Sequence, residues 1–417
     1  MKKKSLKNSL KFSTIEGSMW AFMYGMGENY LSAMAVFLGY SAFQISILNS
    51  FPQLFGAFLQ IFSNNLVLKF KTLKYIVISI SFIQSLLWLI LIFIMIFIPY
   101  FHIIFFWFIL YFVSNSLVDP IWTSWMGYLV PKRIRGNYHG SRNRIISFYV
   151  LIAILIGGFI LKYYDDKLNI GFSIIFFIAA LGRISSTYFL NKKDEFSNFK
   201  NKINNNFFFF LSNKLTLKFI IFKSAINFSV MFLGPLFAIY ILRTLGLSNL
   251  ILSLCTVSWW IANLISSKYW GKFIKLNGNL QSLKICTTIL YILPLFWVAS
   301  YYLNGLILIT FILLINLMAG VTFSGFSLST FNITYELVEK RDIAKYTSLL
   351  RLGEGIAIFI GALLAGSIVD SSVINNYLSD FDFTPIQLSM LISALLRFFC
   401  YLYFKVFEKE FNIVTQN

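Results

Sequence analysis

Charge is scarce in this chain: 12% of its 417 residues are Asp, Glu, Lys or Arg, against 58% hydrophobic and 19% aromatic. With a mean hydropathy of +0.75, that shortage excludes a water-soluble globule, because too few polar side chains are present to cover the apolar surface. Histidine is rarer still. His102 and His139 lie far apart, and the three cysteines, Cys255, Cys286 and Cys400, fall inside apolar runs without metal or redox spacing. No Walker loop, Gly-rich dinucleotide fingerprint or Ser/His/Asp signature is present. The residues give no support for an enzyme, and neither a metal nor a cofactor is expected.

What the chain has instead is long apolar runs. A bilayer core about 30 Å thick takes roughly 20 residues of helix. Twelve such runs are found: 17–38, 43–66, 75–98, 101–129, 145–164, 169–190, 219–242, 247–269, 284–303, 305–331, 346–369 and 385–407. Their length and continuity predict helices, since membrane strands alternate over about ten residues. The expected fold class is an all-α membrane protein with twelve transmembrane helices. The basic start "MKKKSLKNSLK" leads into a full-length span without a small-residue cleavage site, so a removed signal peptide is not expected.

A net charge of +19 raises the question of a nucleic-acid partner, and the placement of the charges argues against it. Lys2 to Lys11, Lys69 to Lys74, Lys132 to Arg144, Lys192 to Lys218, Lys268 to Lys284, Lys340 to Lys345 and Lys405 to Lys409 all fall at span ends facing one side. Lys162, Lys167 and Arg243 hold the other. This is the positive-inside pattern, which predicts a multi-pass protein of the cytoplasmic membrane with both termini in the cytoplasm. The basic stretch "LVPKRIRGNYHGSRNR" at 129–144 is then first an orientation signal.

A fainter copy of that stretch, "LVEKRDIAKYTS", returns at Leu337. Leu129, Val130, Arg133, Tyr138 and Gly158 recur as Leu337, Val338, Arg341, Tyr346 and Gly366, each displaced by 208 residues. "LGYSAFQIS" at Leu38 and "LGLSNLILS" at Leu245 match at 207, and Arg183 and Arg397 match at 214. Near-constant offsets indicate an internal duplication of six spans. Six is even, so the halves run parallel, with a substrate site expected between them near the midplane around a central cavity. The expected domains are an N-terminal bundle (1–190), a cytoplasmic linker (191–213) whose "FFFF" lies along the interface, and a C-terminal bundle (214–417).

Twelve spans in a 6+6 arrangement, the long central loop, and "WMGYLVPKRIRGNYHGSRN" between spans 4 and 5 resemble the major facilitator superfamily over nearly the whole chain. The resemblance implies a solute carrier whose first and fourth spans line the N-terminal half of the cavity. Two family signatures are altered. The stretch between spans 2 and 3, "NNLVLKFKTLKY", lacks the usual Gly and Asp, and span 5 has Gly157 and Gly158 in place of a Gly-Pro pair. Both departures weigh against antiport.

A carboxylate at a helix centre costs about 2.5–3.5 kcal/mol on insertion scales, so one retained there faces a cavity or a partner. Glu28 is such a residue. Trp20, Tyr24, Gly27 and Glu28 share one helical face, and Tyr111, Asn115 and Asp119 share another just before Pro120. Glu28 and Asp119 are candidate proton or cation sites, against readings as a hydrogen-bonded structural Glu and a kink cap. Gln53 belongs to a polar stripe with Ser46, Asn49, Gly56 and Gln60, more often a helix contact than a cavity wall. Asn227, Asn316 and Asn332, with Trp259, Trp260 and Asn263, are ambiguous in the same way. Arg351 and Glu354 are spaced to pair, and Arg183 and Arg397 are expected to snorkel toward the cytoplasm. Arg133, Arg135, Arg142, Lys340 and Arg341 are candidates for a cytoplasmic gate, with Glu336 and Glu339 as acidic partners.

The reading these residues support is a secondary active transporter that moves a small solute by alternating access. Proton coupling is expected. Aromatic walls and an acidic centre tilt it toward export of amphipathic or cationic compounds. Uptake of a sugar or polyol is the alternative, and a non-transporting sensor or lipid scramblase is the rival from another class. A monomer in the bilayer is favoured.

Overall fold

The computed structural model describes residues 3–60, 72–131, 134–195, 213–338 and 343–416. Over those residues each of the twelve apolar runs falls on helix. Arg133, Lys340, Arg341, Glu339 and the "FFFF" of the linker lie outside them. So do Lys69 and Lys71 between spans 2 and 3.

In the first half, α1 (Lys3–Met26) and α2 (Leu31–Phe37) form span 1, followed by α3 (Ala42–Gln60), α4 (Leu73–Phe97), α5 (Phe101–Leu129), α6 (Arg135–Tyr163) and α7 (Leu168–Asn191). In the second, α8 (Lys214–Met231) and the short α9 (Leu236–Ile239), which runs into a π turn, form span 7. Then come α10 (Asn249–Ser300), α11 (Gly305–Leu337), α12 (Ile343–Asp370), a short α13 (Ser372–Ser379) and α14 (Pro385–Gln416). Among the described residues nine stretches are long and apolar enough to cross a bilayer. One of them, α10, has 52 residues, roughly 78 Å at ~1.5 Å each, and so carries two spans. The loop expected between those spans is helical, with its break confined to Gly278 at φ 84°.

The chain divides into two compact units. Unit 1 comprises Met1–Tyr40, Phe51–Ile203 and Ser248–Ser253; unit 2 comprises Ser41–Ser50, Asn204–Leu247 and Leu254–Asn417. In unit 1, α1 packs along α6 and α7; in unit 2, α8 packs along α12 and α14. These are the same pairings of spans 1, 5 and 6 with spans 7, 11 and 12, as a duplication requires.

Each unit also holds a short piece of helix from the other half of the sequence, and glycines seat both pieces. A Cβ at Gly158 would lie 2.4 Å from Ser253 Oγ, and one at Gly366 would lie 2.7 Å from Phe43 Cα and 2.8 Å from Ser46 Oγ. Gly158 and Gly366 are repeat partners, and so are Ser46 and Ser253 at an offset of 207. The close approach is therefore made twice by the same residue types. In unit 1, Tyr30 Oη lies 2.8 Å from Ser253 Oγ and also donates to the Ile154 carbonyl. In unit 2 the first turn of α3 is capped by Asp370, whose oxygens accept from the Ala42 and Phe43 amides at 3.0 and 2.7 Å.

The basic start of the chain is helix and is packed, which its polar sequence hid. Leu6 and Leu10 lie against Met126, Leu129 and Val130. Tyr138 donates to the Leu10 carbonyl at 3.1 Å, and Asp194 accepts from Ser5 and Ser9. One turn further, buried Glu16 sits 3.5 Å from Arg142 and 3.3 Å from Lys193. Arg142 also donates to the Ser13 carbonyl at 3.1 Å and lies over Trp122, while Lys193 lies over Trp125. Burial lowers the Lys193 pKa from its ordinary value, against the pull of the Glu16 carboxylate; the Arg142 charge pushes the same way as burial.

Two outcomes follow from these contacts. Gly158→Ala should destabilise the protein by about 1–3 kcal/mol through overpacking. Ser253→Gly in the same chain should restore most of the loss, read as the temperature at which the purified protein leaves its monodisperse peak on gel filtration. Glu16→Gln leaves two buried cations without their acid and should cost about 3–5 kcal/mol, seen as a collapse in folded yield.

Candidate functional site

Span 1 does not run through as one helix. α1 closes at Met26, where the Gly27 amide still bonds the Met23 carbonyl at 2.8 Å, and Gly27 itself leaves helical geometry at φ −98°, ψ −83°. Glu28 opens the 3-10 turn that follows. A continuous face carrying Trp20, Tyr24 and Glu28 was expected; the break turns the carboxylate onto the neighbouring helix α5 instead.

There the partners are waiting. Tyr111 is fully buried, stacked on Trp107 and edge-on to Trp88, and its hydroxyl donates to Glu28 Oε1 at 2.7 Å, with Met23 Sδ 2.8 Å from the same hydroxyl. Asn115, one turn along α5, donates from Nδ2 to the same Oε1 at 3.0 Å. The Asn115 Oδ1 accepts from Gln84 Nε2 at 2.7 Å, and Gln84 also donates to Ser114 at 3.0 Å. Gln84 Oε1 in turn accepts from Arg183 Nε at 2.8 Å and from its Nη2. The result is an oriented relay, Arg183 to Gln84 to Asn115 to Glu28, with every amide dipole pointing the same way. A guanidinium that stays charged thereby supports a carboxylate it does not touch.

Asp119 is exposed on α5 and interacts electrostatically with both Glu28 and Arg183. Trp20 and Tyr24 are half-buried and stacked at 5.2 Å, and Tyr24 feels the Glu28 charge. Glu28, Asn115, Asp119 and Tyr24 are thus gathered at one place in unit 1. Among the described residues Glu28 Oε2 receives no hydrogen bond, both donors going to Oε1.

Other sequence candidates lie elsewhere. Gln53 is exposed, while in the same stripe Asn49 bonds the Ile45 carbonyl of its own helix. Asn227 bonds its own helix at the Lys223 carbonyl, 3.0 Å away. Asn332 donates to Asn279, which also donates to Glu336. Glu354 pairs with Lys223 on α8 at 2.7 Å rather than with Arg351, which is exposed. Helical spacing shows which neighbour is near, but the opposing helix supplies the shorter contact. Asn316 lines a cavity in unit 2. Of the gate candidates, Arg135 lies in the first turn of α6, and Arg142 is held in the Glu16 cluster.

Arg183 and Arg397 do not snorkel: they are 3% and 5% exposed. Sequence reasoning set both aside as structural and passed over Gln84, the one amide in the apolar run of α4. The available signal was the same rule that singled out Glu28, since an amide or guanidinium amid about twenty apolar residues also needs a partner.

No protein-family model matches this sequence, and no curated protein is similar to it in sequence. Solved structures are similar. The nucleoside transporter NupG superposes with a TM-score of 0.76 at 14% identity, covering 96% of this chain and 99% of that one. A bacterial homologue of the iron transporter ferroportin, inward-facing, gives 0.70 at 13%, covering 98% and 99%. A bacterial metal transporter gives 0.68 at 15%, covering 97% and 98%. Likeness at such low identity speaks to the fold alone, and this chain shares the all-α fold of these solved structures over nearly its whole length.

Proposed function

We propose that this protein is a secondary active transporter that moves a small solute across the cytoplasmic membrane by alternating access, coupled to protons. Its moving bodies are the halves 1–190 and 214–417, joined by 191–213, with both termini cytoplasmic. The observation that carries this reading is Glu28 at a helix break inside an apolar bundle. A carboxylate there is costly, and its hydrogen bonds converge on Oε1 while Oε2 takes none among the described residues.

Protonation of Glu28 removes the charge that the relay from Arg183 supports, so the carboxylate and its neighbours have two electrostatic states. Asp119, within range of both Glu28 and Arg183, is the second group that senses the change. The stacked Trp20 and Tyr24 beside Glu28 form an apolar wall of the kind that holds a flat solute, which favours export of amphipathic compounds over uptake of polyols. The similar solved structures are a nucleoside transporter, a metal transporter and a homologue of an iron transporter, and a transporter reading accords with them.

The test is flux in proteoliposomes with and without a pH gradient. Gradient-driven transport should fall at least about tenfold in Glu28→Gln, by loss of the proton-carrying group, while exchange of labelled for unlabelled solute continues. Asp119→Asn should show a smaller loss. Unchanged gradient-driven transport in both variants rules out proton coupling through this site. Ligand binding with no net flux would mark a sensor, and gradient-independent movement of labelled lipid would mark a scramblase.

A further inference from the structure

The second half repeats the architecture of the Glu28 site but not its chemistry. Span 7 breaks between α8 and α9, at 232–235, as span 1 breaks at Gly27. Interrupted helices at corresponding positions of two repeats are the strongest pointer to a transporter's binding site. At the 207-residue offset Gly27 and Glu28 correspond to Gly234 and Pro235; at 208, Tyr111 and Asn115 correspond to Ala319 and Phe323. Trp88 and Trp297 match at 209, which sets Leu293 in the place of Gln84. Of the relay only the arginine survives, as Arg397.

What the relay fills in one half is open space in the other. Unit 2 contains a cavity of about 290 Å³ lined by Gly234, Leu293, Trp297, Ala319, Phe323 and Arg397. That is at the small end of the ~300–1,000 Å³ typical of ligand sites, room for one flat ring system and a short side chain. Trp259 and Phe237 add aromatic wall, and Asn316 adds an amide whose Nδ2 is already bonded to the Ile312 carbonyl at 2.8 Å, leaving its Oδ1 as an acceptor.

Arg397 is the decisive residue. It is 5% exposed, one of its terminal nitrogens donates to the Leu290 carbonyl at 3.0 Å, and its buried Nε–H has no partner. Among the described residues no carboxylate stands within ion-pairing distance of it, whereas Glu16 and Glu354 have theirs. A guanidinium does not discharge by losing its proton. A permanent cation with a spare donor, walled by tryptophan and phenylalanine, is complementary to an anion carried on an aromatic body.

We propose that this cavity is a binding site for a small aromatic or heteroaromatic acid. Its carboxylate sits on Arg397, its ring lies among Trp259, Trp297 and Phe323, and Asn316 Oδ1 accepts from a ring N–H. The sign of the charge is opposite to the cationic solute that Glu28 alone would favour. Because this acid is taken to be the transported solute, the site presupposes the transport reading, and the test therefore measures binding without flux.

Radiolabelled indole-3-acetate and benzoate are titrated onto the purified full chain in detergent. Bound indole-3-acetate is then competed with unlabelled indole-3-acetate, neutral indole-3-acetamide and cationic tryptamine. The acid should compete at least about tenfold better than the amide, and tryptamine should not compete, as expected when a charge-assisted bond to Arg397 is made or lost. Arg397→Gln should weaken binding at least about tenfold while the protein stays monodisperse, and Arg397→Lys should recover part of it. Equal competition by the three indoles, undiminished binding in Arg397→Gln, or no saturable binding of either acid overturns the proposal. If Arg397→Gln does not stay folded, the competition series on the unaltered protein decides alone. Acid-selective binding without flux in proteoliposomes would sink the transport reading and leave the site; flux of a neutral or cationic solute without acid binding would do the reverse.

Discussion

A polar group inside a bilayer has to find its partners within the protein, because hydrocarbon offers none and each unmet hydrogen bond costs several kcal/mol. That constraint organises unit 1. Glu28 is tolerable because Tyr111 and Asn115 donate to it, and Asn115 is fixed because Gln84 holds its carbonyl oxygen. Gln84 is fixed in turn by Arg183. Remove any link and the next loses its orientation, so the four helices that carry these residues are positioned by one polar chain as much as by their apolar packing. At the Lys-rich end the same requirement is met differently, by direct ion pairs from Glu16 to Arg142 and Lys193 over two tryptophans. These direct pairs hold Glu16, Arg142 and Lys193 in one cluster. A relay through neutral amides lets the carboxylate at its end change its charge without exposing a bare cation, since Arg183 keeps Gln84 in either state.

Much of the architecture was legible in the sequence because the bilayer imposes a length: twenty apolar residues have few other uses, and each of the twelve runs lies on helix where it is described. The duplication was legible through residues that backbone contact fixes. Gly158 and Gly366 stood out as a repeat before their partners, Ser253 and Ser46, were known. Rarity exposed Glu28, and helical spacing placed Tyr111 with Asn115. What stayed hidden is what depends on the register of one helix against another. Nothing within span 3 says that Gln84 meets Arg183 of span 6, and nothing in "RLGE" says that Glu354 would choose Lys223 over Arg351. The single Gly27 gave no warning of a helix break, and the charge of the first residues masked the apolar stripe of Leu6 and Leu10 that packs them down.

The two halves have diverged unevenly, and the unevenness has a physical cause. Where Gly158 faces Ser253 and Gly366 faces Ser46, backbones approach so closely that one added carbon collides, and both copies carry the same residue types. The polar interior had no such protection. At the matching positions of the second half stand Pro235, Leu293 and Phe323, which supply neither a carboxylate nor an amide. A buried guanidinium without a counter-charge is among the costliest side chains a membrane helix can carry. Arg397 is such a side chain, with an unpartnered donor beside a cavity walled by aromatics. Its cost calls for a compensating interaction, and the ligand anion proposed above would supply it. On the readings proposed above, the two halves hold opposite charges for separate tasks: Glu28 carries the coupling proton in the first, and Arg397 selects the sign of its guest in the second.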